Sequence, residues 1–563
     1  MRWNLKSKPE KQKVQALQNA LQVDEIVAKL LVQRGIETYE DAKTFFRPTL
    51  EDLHDPYLMK DMDKAVARIE SAIKNNENIM VFGDYDVDGT TAVSLVSSYL
   101  RTFYSNIATY IPDRYAEGYG ISYKGIDYAE DNGITLIIAL DCGIKSIDHV
   151  NYAAAKGVDF IICDHHRPGK ELPKAIAILD PKREDCSYPY DELCGCGIGF
   201  KLIQALGKNR NHTTKDLVPY LDLVATAIAA DIVPMTGENR VLAKMGMEVI
   251  NSSPRPGIKA LIQSIKRKEI TITDVVFVAA PRINAAGRIK HGDYAVRLLT
   301  EFNLEQAEVF AKEIEKNNTE RKGLDKQITK EALCQIEENN EQGKFSTVVY
   351  NENWHKGVIG IVASRLIETY YRPTIVFTKS GDFLAASARS IKDFDVYNAI
   401  EACAEHLEQF GGHMYAAGMT LKPENYQKFK NAFEKVVQET IPPELLIPEI
   451  SIDAEINFSD ISPKLVRVLK QFEPFGLQNM HPVFVSSNCF DTGYAKTLGS
   501  EDEHIKLFAK QDGLEGIGVI GFGLGKHLPL IENKTLFQMA YVLDENQWNG
   551  KVALQLNARA IKI

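Results

Sequence analysis

Between residues 76 and 200 the chain alternates short, wholly apolar runs with helical or loop material. The runs Asn78–Phe82, Asn106–Ile111, Leu136–Leu140, Phe160–Cys163 and Ala175–Leu179 are too continuously hydrophobic for one-sided strands and predict a parallel sheet covered on both faces. Before them, VDEIVAKLLVQRGI and MDKAVARIESAI carry apolar positions at a spacing near 3.6 and are separated by the breakers Pro48 and Pro56. Residues 1–75 are therefore expected to be helices packed on the following sheet. Residues 198–230 read as mostly helical. Residues 303–344, rich in Glu, Lys, Gln and Asn, read as a long, partly exposed helix, interrupted or kinked near Gly323. A second α/β unit follows, with strands in PTIVFT and FLAASARS, a helix around Tyr397–His406 and a glycine-rich turn at GGHMYAAGMTL. Beyond 447, short alternating runs predict five or six strands in a small closed or nearly closed barrel. The expected division is 1–75, 76–302, 303–344, 345–446 and 447–563.

Composition narrows the class without naming it. The chain of 563 residues is 45% hydrophobic and 25% charged, as in a soluble globular protein of several domains. No apolar run approaches the roughly 18 residues that a membrane helix needs, and MRWNLKSKPEKQKV lacks the apolar core of a signal peptide, so a cytoplasmic location is expected. Cys194 and Cys196 form the only close cysteine pair, at a spacing unlike zinc-binding pairs, and read as reduced thiols. A net charge of −10 argues against a non-specific DNA-coating protein but not against a nucleic-acid enzyme with a local field. From Arg255 to Lys290 eight Lys or Arg face only Glu269 and Asp274, a phosphate track or a solvated helix face.

The chemistry concentrates where apolar runs stop. IMVFGDYDVDGTTAVSL places Asp84, Asp86 and Asp88 between a strand and a helix that opens at Thr90 and Thr91. Alternate residues of an extended segment point the same way, so the three carboxylates are expected on one side, where hard oxygen ligands at this density suit Mg²⁺ or Mn²⁺; a solvated acidic turn is the plain alternative. Two further runs end in acids, Leu140 in Asp141 and Cys163 in Asp164-His165-His166, and Asp231 ends the apolar LVATAIAADIVP. Adjacent histidines diverge, offering one ring to a metal and the other to a phosphate. In AAPRINAAGR, Arg282, Asn284 and Arg288 stand among small residues, which suits bidentate phosphate recognition or second-layer neutralisation of the acids. Trp354-His355-Lys356-Gly357, Ser387, Arg389, Ser390 and Gly411-Gly412-His413 interrupt apolar segments of the second unit in a way that suits a phosphate-bearing ligand. Phe508, Phe522, Tyr541 and Trp548 are candidate base-stacking rings of the barrel.

Taken together, GDYDVDGTT, ALDCG, CDHH, AADIVP and APRINAAGR resemble the motif series of the DHH phosphoesterase superfamily, and GGHMYAAG resembles its DHHA1 domain. With LLVQRGI, FFRPTLEDLHDPYLMKDM, SARS and EPFGLQNMHPVF, the resemblance extends over nearly the whole chain, to the branch that degrades single-stranded DNA from its 5′ end. It implies a DHH catalytic domain, a linking helix, a DHHA1 domain and an OB-like nucleic-acid-binding barrel. It also implies two divalent cations, Mn²⁺ or Mg²⁺, with Asp141 bridging, Asp84 and Asp86 on one ion, and Asp88, His165 and Asp231 on the other. Asp164 would orient the histidines, and His166 would meet the scissile phosphate. Arg282, Asn284 and Arg288 would contact substrate, Ser387, Arg389 and Ser390 would accept the 5′ end, and His413 lies in the glycine signature. Gln478-Asn479-Met480 and Ser387-Ala388 depart from the glycines more usual there. The implied setting is a monomeric 5′-to-3′ exonuclease of DNA recombination and repair, working with a single-strand-binding protein and a RecQ-type helicase, away from membranes. A small-substrate phosphodiesterase acting on oligonucleotides or cyclic dinucleotides, and a non-catalytic single-strand-binding scaffold, are the alternatives.

Overall fold

The computed structural model describes residues 1–511, 513–531, 535–548 and 551–563, the side chains of 547, 548, 551 and 552 excepted. The five apolar runs form one parallel sheet in the order Ile107–Tyr110, Asn78–Gly83, Ile134–Leu140, Asp159–Cys163, Ala177–Leu179. Their continuous hydrophobicity has a two-sided cause. Ile79, Val81, Ile138 and Ile161 face one core, shared with the helices Met62–Lys74, Val87–Leu100, Gly195–Lys208 and Leu221–Ala230. Met80, Phe82, Ile137 and Ile162 face the other, covered by Tyr123–Asp131 and Ile147–Ala155. Register then does the positioning. Gly83 pairs with Leu140, Leu140 with Cys163 and Cys163 with Leu179, so the next residues, Asp84, Asp141, Asp164 and Asp180, leave the sheet at one level of its C-terminal edge, where open α/β sheets bind ligands.

The linking helix runs from Leu304 to Glu338, 35 residues, without the break expected at Gly323. One glycine costs a helix about 1 kcal/mol, and the buried Asn318, Arg321 and Asp325 around it hold the segment in place, with Arg365 of the next domain donating to Asp325 at 2.7 and 2.8 Å. The second domain is a five-stranded sheet ordered Gln409–His413, Ala416–Leu421, Phe383–Arg389, Thr374–Ser380, Thr347–Tyr350. Here GGH is not a turn: Gly411 to His413 form the exposed edge of a hairpin paired with Ala416–Gly418.

The C-terminal domain is a seven-stranded sheet that closes on itself, because Phe490 and Asp491 pair back onto Lys510 and Ala509. The N-terminal helices are split between two partners, unlike the single packing role expected of them. Met62–Lys74 packs on the catalytic sheet, whereas Leu17, Leu30, Leu31 and Phe45 enter the barrel's core. The chain also begins with a strand, Arg2–Leu5, parallel to Glu449–Ile452. Arg240 of the catalytic domain fastens this assembly. Buried over the Phe45 ring, its guanidinium donates to the carbonyls of Phe45 and Phe472 at 2.9 Å and of Pro474 at 3.2 Å. Beside it, Gln478 takes the left-handed φ of 62° that favours glycine. Among the described residues no helix is long and apolar enough to cross a membrane.

Candidate metal centre

Asp84, Asp86 and Asp88 converge by a different route from an extended segment. Asp84 follows the strand; Asp86 caps the helix Val87–Leu100, accepting from the Gly89 amide at 3.1 Å; and Asp88 already lies in the first helical turn. The fit is close, since a Cβ on Gly89 would stand 2.4 Å from the Asp84 carbonyl oxygen. Asp88 is held from far along the chain. The amides of Gly195 and Cys196, the first of the helix Gly195–Lys208, donate to its two carboxylate oxygens at 2.6 and 2.7 Å. The pair Cys194-Gly195-Cys196 therefore serves as a helix start. Both thiols are buried and free, and a Cβ on Gly195 would fall 2.6 Å from that of Asp141.

Asp141 occupies a left-handed conformation, φ 60°, uncommon outside glycine and tolerated best by Asp and Asn. Opposite it, His165 is buried with Nε2 turned to three carboxylates: Asp141 Oδ1 at 3.2 Å, Asp231 Oδ2 at 3.6 Å and Asp88 Oδ2 at 3.8 Å. Asp231 reaches them as the residue that ends the helix Leu221–Ala230. Asp164 ties the next layer together. It accepts from the amides of His165 at 2.8 Å and Ile144 at 2.9 Å, and from His166 Nδ1 at 2.7 Å. That leaves His166 Nε2 facing outward, 3.3 Å from the Tyr119 hydroxyl.

Charge is unbalanced here. Burial and then mutual repulsion push the carboxyls of Asp84, Asp88 and Asp141 well above the usual range, and Asp86 is raised too. Both oxygens of Asp84 and Oδ2 of Asp231 are buried without a hydrogen-bond partner. Burial lowers His165, keeping its ring neutral. His166 behaves oppositely: burial, the largest single influence, is outweighed by its bond to Asp164 together with the charges of Asp164, Asp231 and Asp88, so it rises to about 9. For Asp164 burial is likewise outweighed by that bond together with the histidine charges and the Ile144 amide, and it falls to about 2. Unpartnered hard oxygens with one neutral imidazole are the donor set of Mn²⁺ or Mg²⁺, and the arrangement fits divalent cations. Among the described residues, Asp88, His165 and Asp231 form one ligand-spaced group and Asp141, His165 and His166 another.

A basic wall faces these acids from the junction with the second domain. Burial and then Arg114, Arg389 and Arg321 lower Arg288 to about 9, and its Nη1 donates to the Gly357 carbonyl at 3.0 Å. Arg389 is also lowered by burial, then by Arg114, and donates to Ser387 Oγ at 3.0 Å. Both line the first turn of the helix Ile359–Tyr370, where a Cβ on Gly360 would come within 2.9 Å of Ser387 Oγ and of Arg389 Nη2. On the hairpin edge the exposed His413 is lowered by desolvation and then by the charges of Lys145 and His166. Asn284 lies on the same helix, Ala280–Ile289, four residues before Arg288 and so on its face.

Other expected residues are engaged elsewhere. Arg282 is ion-paired with Glu315 of the linking helix and donates to the Val278 carbonyl at 2.8 Å. Ser390 gives its hydroxyl to the Phe394 carbonyl at 2.7 Å, within its own loop. Half of the basic run 255–290 is engaged as well, since Arg255, Arg267, Arg282 and Lys290, four of its eight cations, each have a carboxylate partner. On the barrel, Phe508 and Phe522 are exposed, but Tyr541 is core, bonded to Ser486 at 2.8 Å, and the Trp548 side chain lies outside the described residues. Tyr494 is exposed beside Phe508, with ring centroids 6.1 Å apart. Arg114, Tyr119, Asp180 and the Gly195 and Cys196 amides escaped sequence reasoning. Of these, Asp180, after the run ending at Leu179, carried the same strand-end signal as Asp141.

Comparison with known proteins agrees with this geometry. Family models match three segments: the DHH family N-terminal domain over residues 78–228, the DHHA1 domain over 342–439 and the RecJ OB domain over 452–560. The Single-stranded-DNA-specific exonuclease RecJ of Bacillus subtilis (strain 168) is 36% identical over 562 residues, 99% of this chain and 70% of its own length. This chain belongs to the RecJ family. The Escherichia coli (strain K12) RecJ is 32% identical over 557 residues, covering 94% of each chain. Among solved structures, RecJ in complex with Mn²⁺ from Thermus thermophilus superposes with a TM-score of 0.86 at 26% identity, over 100% of this chain and 79% of that one. An exonuclease RecJ bound to manganese gives 0.61 at 28% identity, over 70% and 97%. The RecJ architecture of DHH domain, linking helix, DHHA1 domain and OB-like barrel is thus that of this chain.

Proposed function

We propose that the chain is a divalent-metal-dependent exonuclease that hydrolyses single-stranded DNA from the 5′ end, in DNA recombination and repair. One observation carries the reading: a buried carboxylate cluster with unpartnered oxygens and, beside it, the half-buried Arg114, Arg288 and Arg389 with no carboxylate partner among the described residues, charges suited to metal ions and phosphates respectively. Asp84, Asp86, Asp88, Asp141, His165 and Asp231 would hold the ions. Cations in that position supply a Lewis acid for the phosphodiester and a deprotonated water. The chain's own groups arrange the rest. Asp164 fixes the His166 ring so that Nε2 presents a proton to a phosphate oxygen, and the raised His166 keeps that proton at neutral pH. Arg114, Arg288 and Arg389, with Ser387 and the helix start at Ile359, would receive the terminal phosphate, which sets polarity. Arg282, tied to Glu315, would act by holding the linking helix against the site. Tyr494, Phe508 and Phe522 would stack bases of the strand behind the cut. The expected setting is cytoplasmic, as a monomer, with a single-strand-binding protein and a RecQ-type helicase.

Strands labelled at either end, given Mn²⁺, test this. Mononucleotides should be released progressively from the 5′ end, and duplex should resist. Cleavage confined to dinucleotides, or release from the 3′ end, would overturn it.

A further inference from the structure

One loop, Asp113–Gly120, touches both charged regions. Near one end, Arg114 lies over the Tyr85 ring, 4.6 Å from its centroid, beside Arg288 and Arg389. Tyr115 gives its hydroxyl to the carbonyl of Arg288 and sets its ring edge-on to His355 of the second domain, with centroids 6.1 Å apart. At the other end Tyr119, between Gly118 and Gly120 at φ 90° and 77°, places its hydroxyl 3.3 Å from His166 Nε2 and 3.4 Å from the Asp141 carbonyl.

The middle of the loop is braced. Glu117 accepts from the Asp113 amide and the Tyr110 hydroxyl, both at 2.9 Å, and from the Ser122 hydroxyl at 2.5 Å. Asp113 in turn accepts from the amides of Tyr115 and Ala116 at 2.8 Å. These bonds tie Asp113, Tyr115, Ala116 and Glu117 to one another and to the flanking Tyr110 and Ser122, a braced segment that has Arg114 within it and Tyr119 two residues beyond.

We propose that this loop is a bracket that couples seating of a terminal phosphate against Arg114 to the orientation of His166, with Tyr115 and Glu117 as the positioning residues that make cleavage depend on the 5′-phosphate. The inference rests on the function proposed above. Its physical content is a coupling free energy between the terminal-phosphate pocket and the reacting phosphate. If the terminal phosphate supplied binding alone, it would lower KM and leave kcat unchanged; coupling raises kcat.

The test compares strands of one sequence bearing 5′-phosphate or 5′-hydroxyl, at saturating Mn²⁺, for the wild-type chain, Tyr115→Phe and Glu117→Ala. Tyr115→Phe removes a single hydroxyl and keeps the ring, so it decides the matter even where Glu117→Ala fails to fold. The wild-type chain should favour the phosphorylated strand in kcat by about tenfold or more, within the usual range of coupling. Both variants should bring that ratio towards one by slowing the phosphorylated strand alone. For Tyr115→Phe, metal-free binding of that strand, followed by fluorescence anisotropy, and the unfolding temperature should stay as in the wild type. An unchanged ratio, or an equal fall on both strands, would overturn the coupling. Wild-type cleavage of both strands at one rate would overturn it while leaving the exonuclease reading intact; no cleavage of either strand would sink that reading itself.

Discussion

Asp84, Asp88 and Asp141 are buried together at the edge of the catalytic sheet, and Arg288 and Arg389 lie half-buried where the two α/β domains meet; each group is shifted towards its neutral form, first by loss of solvent. The resemblance ends with their partners. Both oxygens of Asp84 have none, whereas Arg288 and Arg389 give hydrogen bonds to the carbonyls of Gly357 and Ala388 and to the Ser387 hydroxyl. The guanidiniums, like Asp88 on its two helix amides, are thus partly satisfied before any ligand arrives, and Asp84 is not. The acids are also the more rigidly placed, set by strand register and by helix amides, while the arginines come from a loop, a helix and a strand. The acidic side should therefore control stability and chemistry, and the basic side affinity and selectivity.

The largest expected effect breaks the acidic side at its centre. Asp141→Ala should lower turnover by about 10³-fold or more at saturating Mn²⁺, since this carboxylate belongs to one ligand-spaced group and lies 3.2 Å from His165, which the two groups share. Near-normal steady-state rates would remove it from the site. Next comes the backbone that holds the acids. Gly195→Ala drives a methyl group against Asp141 and should cost about 1–3 kcal/mol in denaturant unfolding, with weakened Mn²⁺ binding; unchanged metal titration would show that the helix start does not set Asp88.

Removing metal sharpens the comparison through pH. For the acids the folded pKa lies above the unfolded value near 4, so their contribution is intact below that value and is lost as pH rises through the raised folded pKa. Arg288 is depressed to about 9, so below that pH its contribution is already lost and stays constant. Chelated protein should therefore lose stability as pH rises above the unfolded carboxylate value of about 4. Saturating Mn²⁺ should cancel that slope and add about 2.7 kcal/mol at a hundredfold excess over Kd. A slope that persists with Mn²⁺ would place its origin outside the cluster.

On the basic side, Arg389→Ala should weaken binding of a 5′-phosphorylated strand by about tenfold, worth one charge-assisted contact, with the single-turnover rate changed less. Equal binding with a large rate loss would reverse that assignment. The smallest expected effect lies on the barrel. Phe508→Ala should weaken strand binding by roughly 1 kcal/mol per unstacked base, without altering kcat; no change in anisotropy would return Phe508 to a solvated surface.

Much of the acidic side was legible along the chain. An apolar run buried on both faces can only be a central parallel strand, such strands end together, and the residues that follow them must share one edge; Asp84, Asp141 and Asp164 follow from that, as Asp180 does once the run to Leu179 is read in the same way. The linking helix was legible for a similar reason, since its composition favours helix strongly enough to carry Gly323.

The remainder belonged to contacts between distant segments. Asp88 is held by amides 107 residues further on, Phe45 packs in a core made mostly of residues beyond 450, and Arg282 spends its charge on Glu315 instead of a phosphate. Half of the cations in the run Arg255–Lys290 meet carboxylates that fold against them, which charge along a sequence does not show. Local periodicity decides which way a side chain faces from its own strand or helix. Which partner it meets there depends on long-range packing, and that packing is what made Tyr115 and Tyr119 parts of one loop joining the two sides of the site.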